Sequence, residues 1–210
     1  MSFEAPETDE ALRPAAARPH PEGIAQALRD PPPARLPDGE CDTRAAVTLL
    51  LAPDDDGAVS SLFVLRAARD GDPWSGHVAL PGGRSEPSDL DLLDTARRET
   101  REETSVEVAR DQFVGRLSEI HPRSVHLPSI GVTPFVAWLP RRPEVRENHE
   151  LAGHLWVPLH ALRAAENRST LVRPTPVERV FPTIEYAGAV IWGLTLAIVD
   201  EFVDRLSRRL

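Results

Sequence analysis

The sequence predicts an α+β fold, and three observations lead to it. Short apolar runs bounded by Pro, Gly and Asp clusters fill the early part of the chain, as strands do. A helical period interrupts them once, over 89–104, and a second helical pattern closes the chain. Strands first, with one helix inside and one at the end, indicate layered elements rather than alternating βαβ units. The 210 residues are 41% hydrophobic, enough for one domain with a full core and some extra segments.

Residues 1–42 read as an arm. Residues 1–40 hold eight prolines, including "DPPPARLPDG", so the arm is expected to be extended or partly disordered. "GIAQALRD" (23–30) can form a short helix, and the arm can dock on the body or on a second subunit. The body, 43–210, opens with "AAVTLLLAP" (45–53), a buried strand stopped by "PDDDG". "SLFVLRAA" (61–68) is a second strand, so the Asp-rich turn joins a hairpin. "RDGDPWSG" (69–76) is a loop, and "HVALPGG" (77–83) a short strand running into a Gly-Gly turn. In the helix that follows, Leu92, Leu93, Ala96 and Thr100 are expected to face inward. "SVEVARDQFVGRLSEI" (105–120) reads as a turn and strands, and "IGVTPFVAWLP" (130–140) as a further buried strand. "ELAGHLWVPLHALRAA" (150–165) gives a loop, a strand at "HLWVP" and a short helix after the proline. "FPTIEYAG" is the final strand, and "AVIWGLTLAIVDEFVDRLSRRL" the C-terminal helix. Trp192 is expected in the core, and Trp74 against its own domain.

Composition excludes several chemistries. All 24 basic residues are arginine, so there is no P-loop lysine, Schiff-base lysine or lysine general base. Net charge is −9, which disfavours nonspecific nucleic-acid binding, because that affinity comes from phosphate neutralisation. No apolar run reaches the roughly 18–20 residues of a membrane span. The N-terminus resembles neither a signal nor a transit peptide, which makes the cytoplasm the expected compartment. A single cysteine, Cys41, rules out an intrachain disulfide and a Cys-based zinc cluster. His121, His126, His149 and His154 show no ligand spacing.

What remains is "RRETREET" (97–104). Glu99, Glu102 and Glu103 stand at i, i+3 and i+4, so their carboxylates share a helix face despite their repulsion. A hard divalent cation, Mg²⁺ or Mn²⁺, would offset that repulsion. The glycine turn before the helix would let a backbone carbonyl approach the ion.

The stretch resembles the Nudix box, G-x5-E-x7-R-E-U-x-E-E-x-G-U, with U aliphatic. Arg98-Glu99-Thr100-Arg101-Glu102-Glu103-Thr104-Ser105-Val106 matches its second half and Gly82-Gly83 its opening. One extra residue separates Gly83 from Arg98, leaving Glu86 or Asp89 as the first acidic position. Thr100 replaces an aliphatic, and Ser105 the final glycine. The extended box, with "LFVLRAA", "GHVALPGG", "GVTPFVAWL", "NHELAGHLWVPLHAL" and "YAGAVIWGLTLAIVDEF", resembles the coenzyme A pyrophosphatase subgroup over about residues 43–208.

This resemblance implies a Nudix-type α/β/α sandwich with a mixed sheet, the box forming a loop-helix-loop. It implies Mg²⁺- or Mn²⁺-dependent attack of water on the diphosphate of a nucleoside diphosphate linked to another moiety, coenzyme A or a derivative first. ADP-ribose, another nucleotide sugar or a dinucleotide is the alternative substrate. Pro122 falls where ADP-ribose hydrolases often carry a proline. A nucleotide-binding Nudix domain without turnover is the alternative of another class. The metal ligands implied are Glu99, Glu102, Glu103 and the Gly83 carbonyl, with Arg98 fixing a neighbouring carboxylate. The base is a box glutamate, Glu102 or Glu103, or the outside acid Glu150. Arg66, Arg123 and Arg44 are the candidates for substrate phosphate. The expected partner is a small nucleotide, without nucleic acid or membrane, and a homodimer is an arrangement open to the chain.

Overall fold

Strand β1 (Thr43–Pro53) organises the chain because both of its faces are covered. Leu49 and Leu51 point into one hydrophobic core, and Leu50 and Ala52 into another on the opposite face. A strand buried on both sides needs an unbroken apolar run, which is what "AVTLLLA" supplies. The structure, a computed structural model, describes residues 19–37, 39–68, 76–122, 129–173 and 179–209. Arg123, Trp74 and His126 lie outside the described residues.

β2 (Val59–Arg66) pairs antiparallel with β1 across the Asp-rich turn. β3 (Val78–Ala79) and β4 (Gly82–Arg84) replace the single strand expected over 77–83. β3 pairs with β2, whereas β4 turns away to pair with β1, placing Gly83 opposite Ala46. Only glycine permits this at 82, where φ is +153° and a Cβ would stand 2.3 Å from the Ala46 carbonyl oxygen. α2 (Leu92–Thr104) leads to β5 (Phe113–Arg116) and β6 (Ile130–Trp138). β6 runs parallel to β1 along nine residues, and β7 (Leu151–Pro158) pairs antiparallel with β2. The sheet is therefore mixed, with α2 on one face.

The other face carries α1 (Pro21–Arg29), α3 (Leu159–Arg163) and α4 (Gly193–Ser207). This is the layered α+β arrangement expected. A second sheet of three antiparallel strands, β8 (Arg168–Arg173), β9 (Arg179–Tyr186) and β10 (Ala189–Trp192), adds Ile184 and Ile191 to the main core. Two expectations are corrected here. "FPTIEYAG" is the middle strand of this sheet, not a final strand. "AVIW" belongs to β10 rather than to the closing helix, because Gly193 at φ +63° breaks the path between them.

The described part of the arm docks on the body. Ile24, Ala27 and Leu28 of α1 are buried in the main core. Beyond α1, polar groups hold the proline-rich stretch. Arg205 donates to the Pro31 carbonyl (2.5 Å) and pairs with Glu201 (2.8 Å). Glu201 in turn accepts from the Ser118 hydroxyl (2.8 Å), and Ser118 Oγ accepts from Ala34 N–H (3.1 Å).

Arg205 is 7% exposed, so losing its charge strands Glu201 in a poorly solvated place. Arg205→Ala should cost about 3 kcal/mol in urea denaturation and speed proteolysis between residues 30 and 36. An unchanged unfolding curve would show that the apolar face of α1 holds the arm alone.

Candidate catalytic site

α2 begins and ends on local chemistry. Asp91 caps it, accepting from Asp94 N–H at 2.8 Å. Ser105 ends it in the left-handed conformation, φ +60°, the role a glycine usually takes. The carbonyls of Glu103 and Thr104, which a helix end leaves without partners, accept from Asn148 N–H (3.0 Å) and Arg146 N–H (2.9 Å). Ser105 Oγ adds a bond to the Arg146 carbonyl at 3.0 Å. These backbone contacts stitch the 144–150 loop to the helix and bring Glu150 beside it.

The inward face of α2 is Thr95, Ala96, Thr100, Glu103 and Thr104, while Leu92 and Leu93 are only half-buried. That corrects the expected leucine stripe. Small residues let the helix lie close on β1 and β4. Thr100, standing where the box has an aliphatic, places its hydroxyl 2.8 Å from that of Thr48 and 2.7 Å from the Ala96 carbonyl. Both hydroxyls are satisfied, so the substitution costs little.

The three glutamates have different surroundings. Glu103 is 3% exposed and accepts from Gly82 N–H at 2.9 Å. Burial pushes its carboxyl up to about 7, with Glu99 and Glu150 adding repulsion and the Gly82 N–H and Arg66 opposing. Glu99 is half-buried over Gly83, where a Cβ would stand 2.5 Å from its carboxylate. Burial raises its pKa as well; Arg98 opposes, and Glu102 and Glu150 add to the rise. Glu102 is the outermost, its side chain 47% exposed.

Arg98 ties the unit together. It donates to Glu99 (2.9 Å), Glu102 (3.2 Å), the Arg84 carbonyl (3.0 Å) and both oxygens of Asp89 (2.9 and 3.0 Å). Asp89 also accepts from Thr95 Oγ1 and Glu86 N–H, and the Arg98 hydrogen bonds hold its carboxyl well below the usual range. Glu86 lies 3.9 Å from Arg98 and is largely exposed. Of the two residues open for the first acidic position, Asp89 is the one bound into the helix.

Among the described residues, no three His, Cys, Asp or Glu side chains already converge as a metal cage. The donor chemistry nevertheless fits a hard cation. Burial raises the pKa values of Glu99 and Glu103, Glu150 adds repulsion to both, and the missing Cβ at Gly83 leaves room for the Glu99 carboxylate.

Beside this cluster opens a cleft of about 390 Å³. Arg66, Gly82, Gly83, Arg84 and Pro122 line it, together with aliphatic side chains from β1, β6 and α4. Trp192, expected in the core, is half-buried and stands on the cleft wall, with Arg173 4.6 Å over its ring and His77 edge-on at 4.7 Å. An apolar run gives no sign that one of its members faces a cavity. Arg84, following Gly83, went unnoticed for the opposite reason, since exposed arginines are common in this chain. Arg44 pairs with Glu119 at 2.7 Å and does not line the cleft. His154 pairs with Glu147 at 2.5 Å, and His121 Nδ1 lies 4.0 Å from Glu40.

The two glycines should separate fold from chemistry. Gly82→Ala drives a Cβ into backbone and should leave little folded protein. In Gly83→Ala the atoms nearest the new Cβ are those of the Glu99 carboxylate, so circular dichroism should stay native while Glu99 is displaced. Glu103 gives a pH test. Its folded pKa lies above its unfolded value, so its contribution favours folding below about pH 4.5 and is lost as pH rises through about 7. In a chelator, Glu103→Gln should therefore stabilise the protein at pH 8 by about 3 kcal/mol and flatten the pH dependence of its melting between 5 and 8. A variant that melts lower than wild type at pH 8 would show the carboxylate to be stabilising.

Comparison with known proteins agrees with this geometry. The NUDIX domain family matches residues 42–175. The Nudix hydrolase NudL of Yersinia pestis (strain Pestoides F), itself uncharacterized, is 30% identical over 149 residues, covering 70% of this chain and 73% of NudL. Solved structures share the fold at lower identity. A MutT/nudix family protein from Enterococcus faecalis superposes with a TM-score of 0.57 at 19% identity, over 82% of this chain and 64% of that one. An Ap4A hydrolase of C. elegans does so with a TM-score of 0.50 at 19% identity, over 79% and 98%. A family match over residues 42–175, which include the loop-helix-loop that carries the glutamates, makes this protein a member of the Nudix family.

Proposed function

We propose that this Nudix hydrolase cleaves the diphosphate of a nucleoside diphosphate linked to another moiety, coenzyme A or a derivative first. The observation that carries the reading is the Glu103 carboxylate on the Gly82 N–H and Glu99 over Gly83, with Glu150 near enough to repel both, at the edge of an apolar cleft. Glu99, Glu102, Glu103 and the Gly83 carbonyl would hold Mg²⁺ or Mn²⁺. A bound divalent ion supplies charge neutralisation for a diphosphate and lowers the pKa of water.

The protein's own groups do the rest. Arg98 holds the Glu99 and Glu102 rotamers from behind. Glu103 takes up a proton near neutrality, and Glu150 faces the same cluster, so both are suited to accept a proton from water. Arg66, on the cleft, and Arg123, outside the described residues, are the partners proposed for substrate phosphate; an arginine fork suits a phosphate bidentately. Arg44, engaged with Glu119, would act only through that pair. The small-molecule partner, the cytoplasmic site of action and a homodimer belong to this same reading.

ADP-ribose remains the second substrate to weigh, because Pro122 lines the cleft. Panel turnover with Mg²⁺ or Mn²⁺ decides between them. Coenzyme A should yield 3′,5′-ADP and 4′-phosphopantetheine, and Glu103→Gln should slow that reaction at least about a hundredfold with the fold retained. Brisk cleavage of ADP-ribose with coenzyme A untouched would transfer the assignment. Tight nucleotide binding with no turnover of any compound would make the chain a binding domain.

A further inference from the structure

Glu119 is a carboxylate that the proposed chemistry leaves unused, although its side chain is only 8% exposed. It stands where three parts of the chain meet. One oxygen, Oε2, accepts from the Leu36 N–H of the arm (2.9 Å) and from the Arg44 guanidinium at the start of β1 (2.7 Å). Burial opposes charge there, yet the Leu36 N–H, Arg44 and Arg116 hold its carboxyl below the usual range. The Glu119 N–H donates to the Ala34 carbonyl at 3.1 Å, so backbone ties the arm to this segment as well. The arm meets it again further on, where Glu40 lies 4.0 Å from His121.

The segment that Glu119 belongs to borders the cleft. Its next residue, Ile120, exchanges two backbone hydrogen bonds with Val132 (2.9 and 2.8 Å), and both Val132 and Pro122 line the cleft. Gly131 lies between the lining residues Ile130 and Val132, so strand alternation turns it to the opposite face of the sheet. The arm packs on that face. A Cβ at Gly131 would stand 2.6 Å from Cys41 Sγ and 3.0 Å from Leu36 Cδ1. The Arg44 carbonyl accepts from Ser85 N–H (2.9 Å) and Oγ (3.2 Å), two residues after Gly83. The arm therefore braces the cleft wall from behind, at the end nearest the glycine turn. We propose that the docked arm is a working part of the site, with Glu119 as the positioning residue that joins Leu36 to Arg44 and sets where Pro122 and the glycine turn stand around a bound nucleotide. Such coupling is reciprocal: binding must favour docking by the factor with which docking favours binding. The proposal rests on the diphosphate-hydrolase reading for what occupies the cleft.

Cys41, the single cysteine of the chain, reports docking through its rate of labelling by an aromatic disulfide reagent. The full chain is compared with Glu119→Ala and with Leu36→Pro, which deletes the arm's N–H donor and touches no residue of the cleft. Leu36→Ala, which keeps that donor, is the control for the lost side chain. Glu119→Ala should label at least about fivefold faster than wild type, and Leu36→Pro at least about fivefold faster than Leu36→Ala. By calorimetry in Mg²⁺, α,β-methylene-ADP should bind both variants at least about fivefold more weakly, and in wild type it should slow Cys41 labelling by a similar factor. For any compound of the nucleotide panel that is turned over, KM should rise likewise while kcat stays within about twofold. Faster labelling with affinity and KM unmoved makes the arm a tether and overturns the proposal. Unchanged labelling in both variants overturns it too, and so does a bound analogue that leaves wild-type labelling as it was, a measurement that needs no variant to fold. Turnover with one KM in every form removes the positioning role and leaves the hydrolase reading standing. Arm-dependent affinity without turnover of any panel compound does the reverse. A wild-type protein that neither binds the analogue nor turns over any panel compound overturns both.

Discussion

The contact between the Glu103 carboxylate and the Gly82 N–H is the constraint around which the site is built. It requires a helix lying almost on the backbone of β4, and neither surface tolerates bulk. Glycine at 82 keeps the Ala46 carbonyl clear, and glycine at 83 leaves room for Glu99. On the helix side, Ala96 and three threonines replace the larger residues that a core helix usually carries. Close approach then desolvates Glu103 and raises its pKa. The perturbed acid thus follows from packing; side chains too small to hold the helix away leave the carboxylate nowhere else to go.

The fold was legible where burial leaves a periodic trace. β1, β2 and β6 show as unbroken apolar runs and α2 as a 3.6-residue period, because each packs on a large face. The second sheet left a weaker trace. β8 is exposed along most of its length, so no alternation marks it. β10 is four residues long and abuts α4, so one apolar stretch holds both a strand and a helix. Only the positive φ of Gly193 parts them, and a backbone angle is not written in hydrophobicity.

The site divides in the same way. Glu99, Glu102 and Glu103 could be picked out because like charges at helical spacing are unfavourable without a reason. The choice between Glu86 and Asp89 could not be made from spacing. It turns on Asp89 meeting the Arg98 fork with both oxygens. The approach of the 144–150 loop had no side-chain signal either, since backbone N–H groups of Arg146 and Asn148 make it by capping the end of α2. Ser105 shows the converse case. A residue that departs from the glycine of the pattern takes up the same backbone shape, and its hydroxyl secures the loop as well.

Arg98 has a further consequence for how the unit handles protons. A guanidinium keeps its charge at any pH at which the protein stays folded, so it cannot take part in the exchange itself. It biases the acids it touches, and Asp89 gives up its proton well below the usual carboxylate range. Glu103, at the far end of the same helix and beyond that arginine's grip, exchanges its proton near neutrality instead. One loop-helix segment therefore presents a permanent anion and a switchable one. The division of labour between them comes from the arginine's fork at Asp89 and from burial at Glu103.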